Sequence, residues 1–381
     1  MWVPVLEAER LGQRPARVLY WGSPVVLFRL RNGRVAALAD RCAHRGVRLS
    51  HGVVQDDTIR CDYHHFRYDA EGNCTEVPEE FRATRAYQER CRITRYFTRE
   101  AVGLIWISVE DEPSAPFPVT GASLPEPHTY AAGHFAVRGD VRVWMDHFLD
   151  IPHCIWTHAE TAYWGRRRRP AELTSHRIHI GPADDYPVRP AIDMEFLARH
   201  QAPVTYDWKM GLVSGCQQIM SLVRRRSTSA EPFHLRVRAD LVSPLCQESH
   251  IELGRTGQRL VGWTSLNPVS EDRIDFYWAA VWQPRGRGPL RGVAPARLIG
   301  DFARQHLAVE DGRVLDDAEY VEGDAFNDTV LDSTVRSMRA VFARYQKDKA
   351  HLYPVGSLMR SLDYQDTEWA ARHEERQRRQ P

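Results

Sequence analysis

Cys42-Ala43-His44 and Cys61-Asp62-Tyr63-His64 place two thiols and two imidazoles within residues 42–64. As a pattern this is C-x-H-x16-C-x2-H. Thiolate and imidazole together suit zinc, copper or an iron–sulfur centre. The order Cys, His, then Cys, His is informative. A [2Fe–2S] centre with two Cys on one iron and two His on the other is served well by two loops that each span both irons. A zinc finger more often pairs Cys with Cys and His with His. The spacing therefore favours the mixed-ligand iron–sulfur centre. A zinc site, or four unrelated loop residues, remain as alternatives.

A second constellation lies at residues 146–158, Asp-His-Phe-Leu-Asp-Ile-Pro-His-Cys-Ile-Trp-Thr-His. Asp150, His153 and His158 form D-x2-H-x4-H. The stretch reads as a helix over about 145–158, on which residues three apart share a face. Asp150 and His153 then point one way, as do His147 and Asp150. Pro152 has no N–H to donate and kinks such a helix. Two His from one segment and a carboxylate from elsewhere make the facial triad of a mononuclear non-haem Fe(II) centre, which keeps coordination positions open. Histidines at this spacing also occur in purely structural roles. The carboxylate must come from a distant segment. Glu310, Asp311, Asp316 and Asp317 are all chemically able, and spacing does not choose among them. A solvated acidic helix end is the competing use of each.

The elements that would position these groups divide the chain in two. Arg17–Trp21, Val25–Leu30, Val35–Leu38 and Val102–Ser108 read as short strands. Gly22-Ser23-Pro24 and Asn32-Gly33 read as turns between them, and Tyr68–Asn73 as a turn between extended segments. This predicts an all-β unit of about 110 residues. Pro113, Pro116, Pro118, Pro125 and Pro127 crowd residues 109–133, which reads as a linker. The remainder alternates in strand fashion from 173 to 283, including Phe233–Leu241, Leu260–Leu266 and Ile274–Trp282. Helices follow at about 296–310 and 328–347. That is an α+β arrangement, helices packed on a long antiparallel sheet. The tail, Trp369–Pro381, is charged.

The bulk numbers are ordinary. Of 381 residues, 43% are hydrophobic and 27% charged, with a net charge of +1, so nothing global points to nucleic acid or a membrane. Met1–Arg17 lacks the apolar core of a signal peptide. No apolar run reaches the ~18 residues of a membrane span. Seven cysteines without framework spacing suit a reducing, cytoplasmic setting. Arg166–Arg169 reads as a solvated or interface loop; docking of an acidic partner or an anionic substrate is the functional alternative.

With both constellations in view, the chain resembles the oxygenase (alpha) component of the Rieske non-haem iron oxygenases. The motifs occur in that family's order from Trp2 to about residue 347. The resemblance implies a Rieske [2Fe–2S] domain at 1–115, a linker at 116–134 and a catalytic domain of helix-grip (START-like) type at 135–381. It places the cluster on Cys42, His44, Cys61 and His64, and the mononuclear iron on His153, His158 and Asp311. Asp150 becomes the bridge between a cluster His of one subunit and an iron-ligating His of the next, which implies a homotrimer. It further implies O2 as co-substrate, and electrons from NAD(P)H through a flavin reductase, with or without a ferredoxin. The substrate would be a small organic molecule, its pocket lined by strands between 190 and 283 and the helix from 145, with Phe148, Trp156 and Trp164 nearby. Length and motif style resemble the single-chain monooxygenases, O- or N-demethylases and natural-product tailoring oxygenases more than the aromatic dioxygenases. An electron-transfer Rieske protein without oxygenase activity is the alternative of a different class. Four departures stand out. Ala43 and Asp62 replace prolines, His65 replaces a glycine before Phe66, and His147 stands where similar chains carry Asn. Asp62 adds negative charge that would lower the cluster potential. His147 could approach the metal, hydrogen-bond O2 or substrate, or face away.

Overall fold

The computed structural model describes residues 1–111, 115–119, 129–150, 152–153, 157–158, 172–179, 191–198, 233–253, 258–270, 272–282, 300, 303–320, 335–336 and 339. Arg166–Arg169, Trp156, Trp164 and the tail from Trp369 lie outside the described residues.

The N-terminal unit holds ten strands: β1 (Val3–Glu7), β2 (Ala16–Tyr20), β3 (Ser23–Arg29), β4 (Val35–Ala39), β5 (Val53–Gln55), β6 (Thr58–Arg60), β7 (Arg67–Tyr68), β8 (Cys74–Glu76), β9 (Arg95–Ala101) and β10 (Leu104–Ser108). They form a six-stranded sheet, β1-β10-β9-β4-β3-β2, and a four-stranded sheet, β5-β6-β7-β8. Every pairing is antiparallel. A short helix, α1 (Arg85–Arg90), interrupts the otherwise all-β unit and is capped by the Thr84 side chain. The apolar run Val25-Val26-Leu27-Phe28 explains why β3 is buried on both faces. Successive side chains point to opposite faces, so Val25 and Leu27 enter one core while Val26 and Phe28 enter the core beneath the metal-type loops. Strand β4 divides in the same way, Val35 and Ala37 against Ala36 and Leu38.

Three hairpins close with both central residues at positive φ, which matches the twist of the flanking strands. They are Trp21-Gly22 (φ 50° and 74°), Asp56-Asp57 (51° and 59°) and Val102-Gly103 (46° and 79°). Two differ from the sequence reading. The first turn is Trp21-Gly22, and Ser23-Pro24 already belong to β3. Val102 is a turn residue, with β10 starting at Leu104. A tryptophan and a β-branched valine in the left-handed region are not what local preference favours. Both are buried, and packing overrides that preference.

The C-terminal unit is a seven-stranded antiparallel sheet, the arrangement the α+β reading calls for. Its strands are β11 (Thr129–Arg138), β12 (Glu172–His179), β13 (Ala191–Ala198), β14 (Phe233–Ser243), β15 (Cys246–Leu253), β16 (Gln258–Ser270) and β17 (Arg273–Trp282), in the order β11-β17-β16-β15-β14-β13-β12. Strand β11 takes up the end of the proline-rich stretch, where no proline follows Pro127. The described residues ahead of it, 115–119, are packed against the N-terminal unit. Ala115, Phe117 and Val119 are buried, and the Trp2 indole donates to the Ala115 carbonyl at 2.7 Å.

Helix α2 (Val141–Leu149) lies on the sheet, with Val141, Trp144, Met145, Phe148 and Leu149 in the core shared with Phe135, Phe276 and Trp278. This corrects the expected helix over 145–158. Asp140 caps the start by accepting from the Arg142 amide at 2.8 Å. The helix ends at Leu149, with Asp150 outside helical geometry at ψ 61°. Pro152 therefore follows the helix instead of kinking it. The later helix also differs from the sequence reading. Residues Arg304–Asp311 are a π-helix, continued by one α-helical turn, Gly312–Leu315. Of the expected 328–347 helix, residues 335, 336 and 339 are described, and all three are helical.

The two units share one core. Val3, Val18, Tyr20, Trp21, Val25 and Leu27 pack in continuity with Phe135, Trp144, Leu266 and Phe276. The fully buried Asn267 fastens the seam. Its Oδ1 accepts from the Trp21 amide at 3.2 Å and its Nδ2 donates to the Leu19 carbonyl at 2.7 Å.

Candidate redox and metal centres

The two Cys/His loops are built alike. In the first, the Cys42 amide donates to the Val47 carbonyl at 2.8 Å and the Gly46 amide to the Cys42 carbonyl at 2.9 Å. In the second, the Cys61 amide donates to the Phe66 carbonyl at 2.8 Å and the His65 amide to the Cys61 carbonyl at 3.1 Å. Each loop turns at a residue of positive φ: Gly46 at 71° and His65 at 58°. His65 thus takes up the left-handed conformation that glycine adopts without steric cost. This answers one departure noted above: the loop keeps its shape and the side chain carries the cost. Asp40 braces the first loop, accepting from the Ser50 amide and hydroxyl, both at 2.7 Å.

The loops bring the four side chains together. Cys42 and Cys61 are buried, and the rings of His44 and His64 lie 4.7 Å apart. A hydrogen bond from the Cys61 thiol pulls Cys42 down to about 5, while holding that proton pushes Cys61 up. The Tyr68 hydroxyl accepts from the Ala43 amide at 3.1 Å, so its own proton is free to go to Cys42 Sγ, 3.2 Å away. His44 Nδ1 is buried with no hydrogen-bond partner among the described residues, and burial lowers the pKa of the ring. An uncharged imidazole with an orphaned ring nitrogen, beside two sulfurs, fits the donor set of a mixed Cys/His cluster. Phe66 stacks on His44 at 4.7 Å, and the half-exposed Phe81 meets both His rings edge-on at 5.0 and 5.6 Å. Neither Phe81 nor Tyr68 stood out in the sequence, because their roles depend on strand pairing and a turn.

The second centre gathers around Asp311, which is 1% exposed. His147 Nε2 lies 3.1 Å from Asp311 Oδ2; His158 Nε2 and His153 Nε2 lie 3.3 and 3.9 Å from Oδ1. Neither Asp311 oxygen has a hydrogen bond of acceptable geometry among the described residues. Burial works to raise its pKa, but His147, His158 and His153 outweigh it and hold the carboxyl below its ordinary value. His153 moves the other way: burial, then the neighbouring His147, keeps the ring neutral. Its Nδ1 hydrogen-bonds the Asp150 backbone carbonyl. His158 Nδ1 meets Glu310 Oε2 at 2.8 Å, and Glu310 Oε1 accepts from Gln305 at 3.0 Å. Such outer partners fix the tautomer, leaving each Nε2 lone pair aimed inward.

Of the four carboxylates open in the sequence, Asp311 enters the centre and Glu310 stands behind His158, while Asp316 and Asp317 are exposed. The expected trio His153, His158 and Asp311 is brought together. The donors that all lie within 4.8 Å of one another, however, are His147, His153 and Asp311, and separately His158, His306 and Glu310. His306 was missed. The signal for it is the spacing His306, Glu310, Asp311, which falls on one side of a helix wound i→i+5. The elements that aim α2 are also legible only in three dimensions. Gln247 binds the Phe148 carbonyl. Arg339 binds Asp146 at 2.9 Å, and Arg142 and Arg339 lie over the Tyr320 ring at 4.3 and 4.4 Å. Phe148, considered for a pocket wall, is core, 2% exposed.

Comparison with known proteins agrees with these observations. Residues 1–91 match the Rieske [2Fe-2S] domain. Relatives include a 4beta-methylsterol monooxygenase of Methylococcus capsulatus, 38% identical over 32% of this chain and 33% of its own length. Others are the aminopyrrolnitrin oxygenase PrnD of Pseudomonas fluorescens (28%; 42% and 45%) and the oxygenase subunit of a 5,5'-dehydrodivanillate O-demethylase of Sphingobium sp. (30%; 44% and 40%). The matched stretch thus spans less than half the length of each of these relatives. In fold the likeness runs further. Dicamba monooxygenase superposes with a TM-score of 0.69 over 92% of this chain and 98% of that one, at 19% identity. NdmA of Pseudomonas putida CBB5 superposes at 0.64 over 92% and 91%, at 17% identity. No helix among the described residues is long and apolar enough to cross a membrane. Residues 1–91 are a Rieske [2Fe–2S] domain; the chain is similar over part of its length to oxygenase and demethylase subunits and shares its fold with dicamba monooxygenase and NdmA.

Proposed function

We propose that the chain is the oxygenase subunit of a Rieske non-haem iron system. It takes electrons from an NAD(P)H-dependent flavin reductase, directly or through a ferredoxin, and uses O2 to oxidise a small organic substrate. The observation that carries this reading is the Asp311 carboxylate, buried without a hydrogen bond among the described residues and faced by imidazoles, in the same chain as a Rieske [2Fe–2S] domain. The donor set fits a mononuclear iron: a carboxylate held ionised, a neutral His153, and imidazole Nε2 atoms turned toward the carboxylate. His153, His158 and Asp311 would hold the ion. An iron bound there supplies one-electron chemistry and O2 activation.

The protein's own residues supply the rest. Asp150 O and Glu310 orient His153 and His158 through their outer nitrogens. Gln247, bound to the Phe148 carbonyl, holds the end of α2 on the sheet. Trp144, Phe148 and Leu149 exclude water from its inner side. The Asp150 side chain would carry the connection between the cluster histidines of one subunit and this centre in the next, in a homotrimer.

The reading favours monooxygenation of a C–H bond, with oxidative O- or N-demethylation next, since monooxygenases and demethylases recur among the relatives. Aromatic dioxygenation is the remaining outcome within the family. A pure electron carrier would have no use for a buried imidazole–carboxylate centre. The test is substrate-dependent O2 uptake by the iron-loaded, reductase-coupled protein, with product mass measured. Gain of one oxygen or loss of a methyl supports the reading. In Asp311→Ala, uptake should vanish while the cluster's visible spectrum persists; unchanged uptake in that variant would sink the assignment.

A further inference from the structure

We propose that His147 is itself a ligand of the mononuclear metal, so that the centre is three imidazoles and one carboxylate. This rests on the reading of a metal at Asp311 given above. The geometry is that of donors sharing an absent centre rather than bonding one another. His147 Nε2 is 3.1 Å from Asp311 Oδ2, yet the pair fails hydrogen-bond geometry and Oδ2 has no hydrogen-bond partner among the described residues. A nitrogen and an oxygen this close, with the N–H direction off the line between them, both aim at a third point. Metal–ligand bonds of about 2.1 Å put neighbouring donors about 3.0–3.6 Å apart. His147 to Asp311 at 3.1 Å and His158 to Asp311 at 3.3 Å fall on such edges, and His153 at 3.9 Å is a wider one.

Two further observations point the same way. His147, His153 and Asp311 all offer donors within 4.8 Å of one another. The His147 and His153 rings lie 4.1 Å apart, two imidazoles crowded together against a carboxylate. The position is built as well as occupied. His147 sits in the last turn of α2, whose Trp144 ring stands edge-on to it at 6.0 Å. Its side chain is 10% exposed, so solvation is no explanation for where it points. With His147 bound, an octahedral ion keeps two open positions if Asp311 binds through one oxygen and one if it binds through both. This added donor also lets the protein hold its metal firmly without substrate.

The test uses the full-length protein with its cluster oxidised and therefore silent in electron paramagnetic resonance. The mononuclear site is cleared of iron and loaded with one equivalent of Cu(II). Pulsed resonance then counts coordinated imidazoles through their remote nitrogens. The expected counts are three in the unmodified chain and two in His147→Asn, with Cu(II) affinity in the variant down more than about 100-fold, beyond what loss of an outer partner costs. A count of two in both proteins overturns His147 as a ligand and leaves the iron site standing. Cu(II) binding that ignores Asp311→Ala overturns both readings. Cluster absorbance and circular dichroism establish that His147→Asn is folded; should it not be, His147→Gln is counted in its place.

Discussion

The two centres are assembled in opposite ways. The loops at 42–64 gather two thiols and two imidazoles and set them with backbone hydrogen bonds repeated from one loop to the other. The Asp311 centre draws on residues 147–158 and 311, and sets them with side chains: Glu310 behind His158, Gln305 behind Glu310, Arg339 behind the helix. A centre made by local backbone geometry tolerates changes in its neighbours as long as the turns survive. A centre made by long-range side-chain contacts has no such protection, and its outer partners should matter nearly as much as its ligands.

Substitutions can break this contrast. The largest effect belongs to the outer partner of the Asp311 centre. Glu310→Gln should weaken metal binding by about 10–100-fold, read by equilibrium dialysis, with cluster content unchanged. In the cluster loops the sensitive positions are the turning residues. Gly46→Ala should destabilise by about 1–2 kcal/mol in thermal unfolding, the cost of a Cβ in the left-handed region. At the matching position His65→Gly should stabilise by up to about 1 kcal/mol, and a loss of stability there would contradict the equivalence of the loops. Tyr68→Phe removes a hydrogen bond to Cys42 Sγ, and such a bond favours the electron-richer reduced cluster. Its potential, measured by redox titration, should fall by on the order of 50 mV.

The smallest effect lies at the seam between the units. Burial tends to raise the Glu7 pKa, but the hydrogen bond and charge of His134, 3.5 Å away, together with its own backbone amide and Arg10, hold it at about 2. Its folded value is depressed below 4.5, so its ionisation stabilises the fold fully above that pH and loses this contribution as pH falls toward 2. Glu7→Gln should flatten the acid limb of a stability–pH curve over that window. An identical limb in both proteins would show that the contact carries nothing.

The same contrast explains what could be read in the sequence. Cys42, His44, Cys61 and His64 were legible as a set because their ligand loops are nearly self-contained. The Asn32-Gly33 hairpin was legible for the same reason. Trp21 and Val102 were not, because burial forces them into turns that their side chains disfavour. The helix at 145–158 was placed too late and drawn too long. Its start depends on the Asp140 cap, and its end on residues that leave the helix before Pro152. Asp311 was one of four acidic candidates until the fold brought it against the histidines, and a 3.6-residue period pairs His306 with Glu310 but not with Asp311, five residues on.

That period is where the π-helix Arg304–Asp311 has its consequence. A turn wound i→i+5 amounts to an α-helix carrying one residue too many. Winding the same residues as an ordinary α-helix, with none removed, would add about 100° of rotation by the end of the segment. Asp311 would swing away from His147 and His158 without any change in its chemistry. The carboxylate is thus held in place by a phase, and any change that drove this segment into ordinary α-helical winding would act on this protein as a ligand knockout.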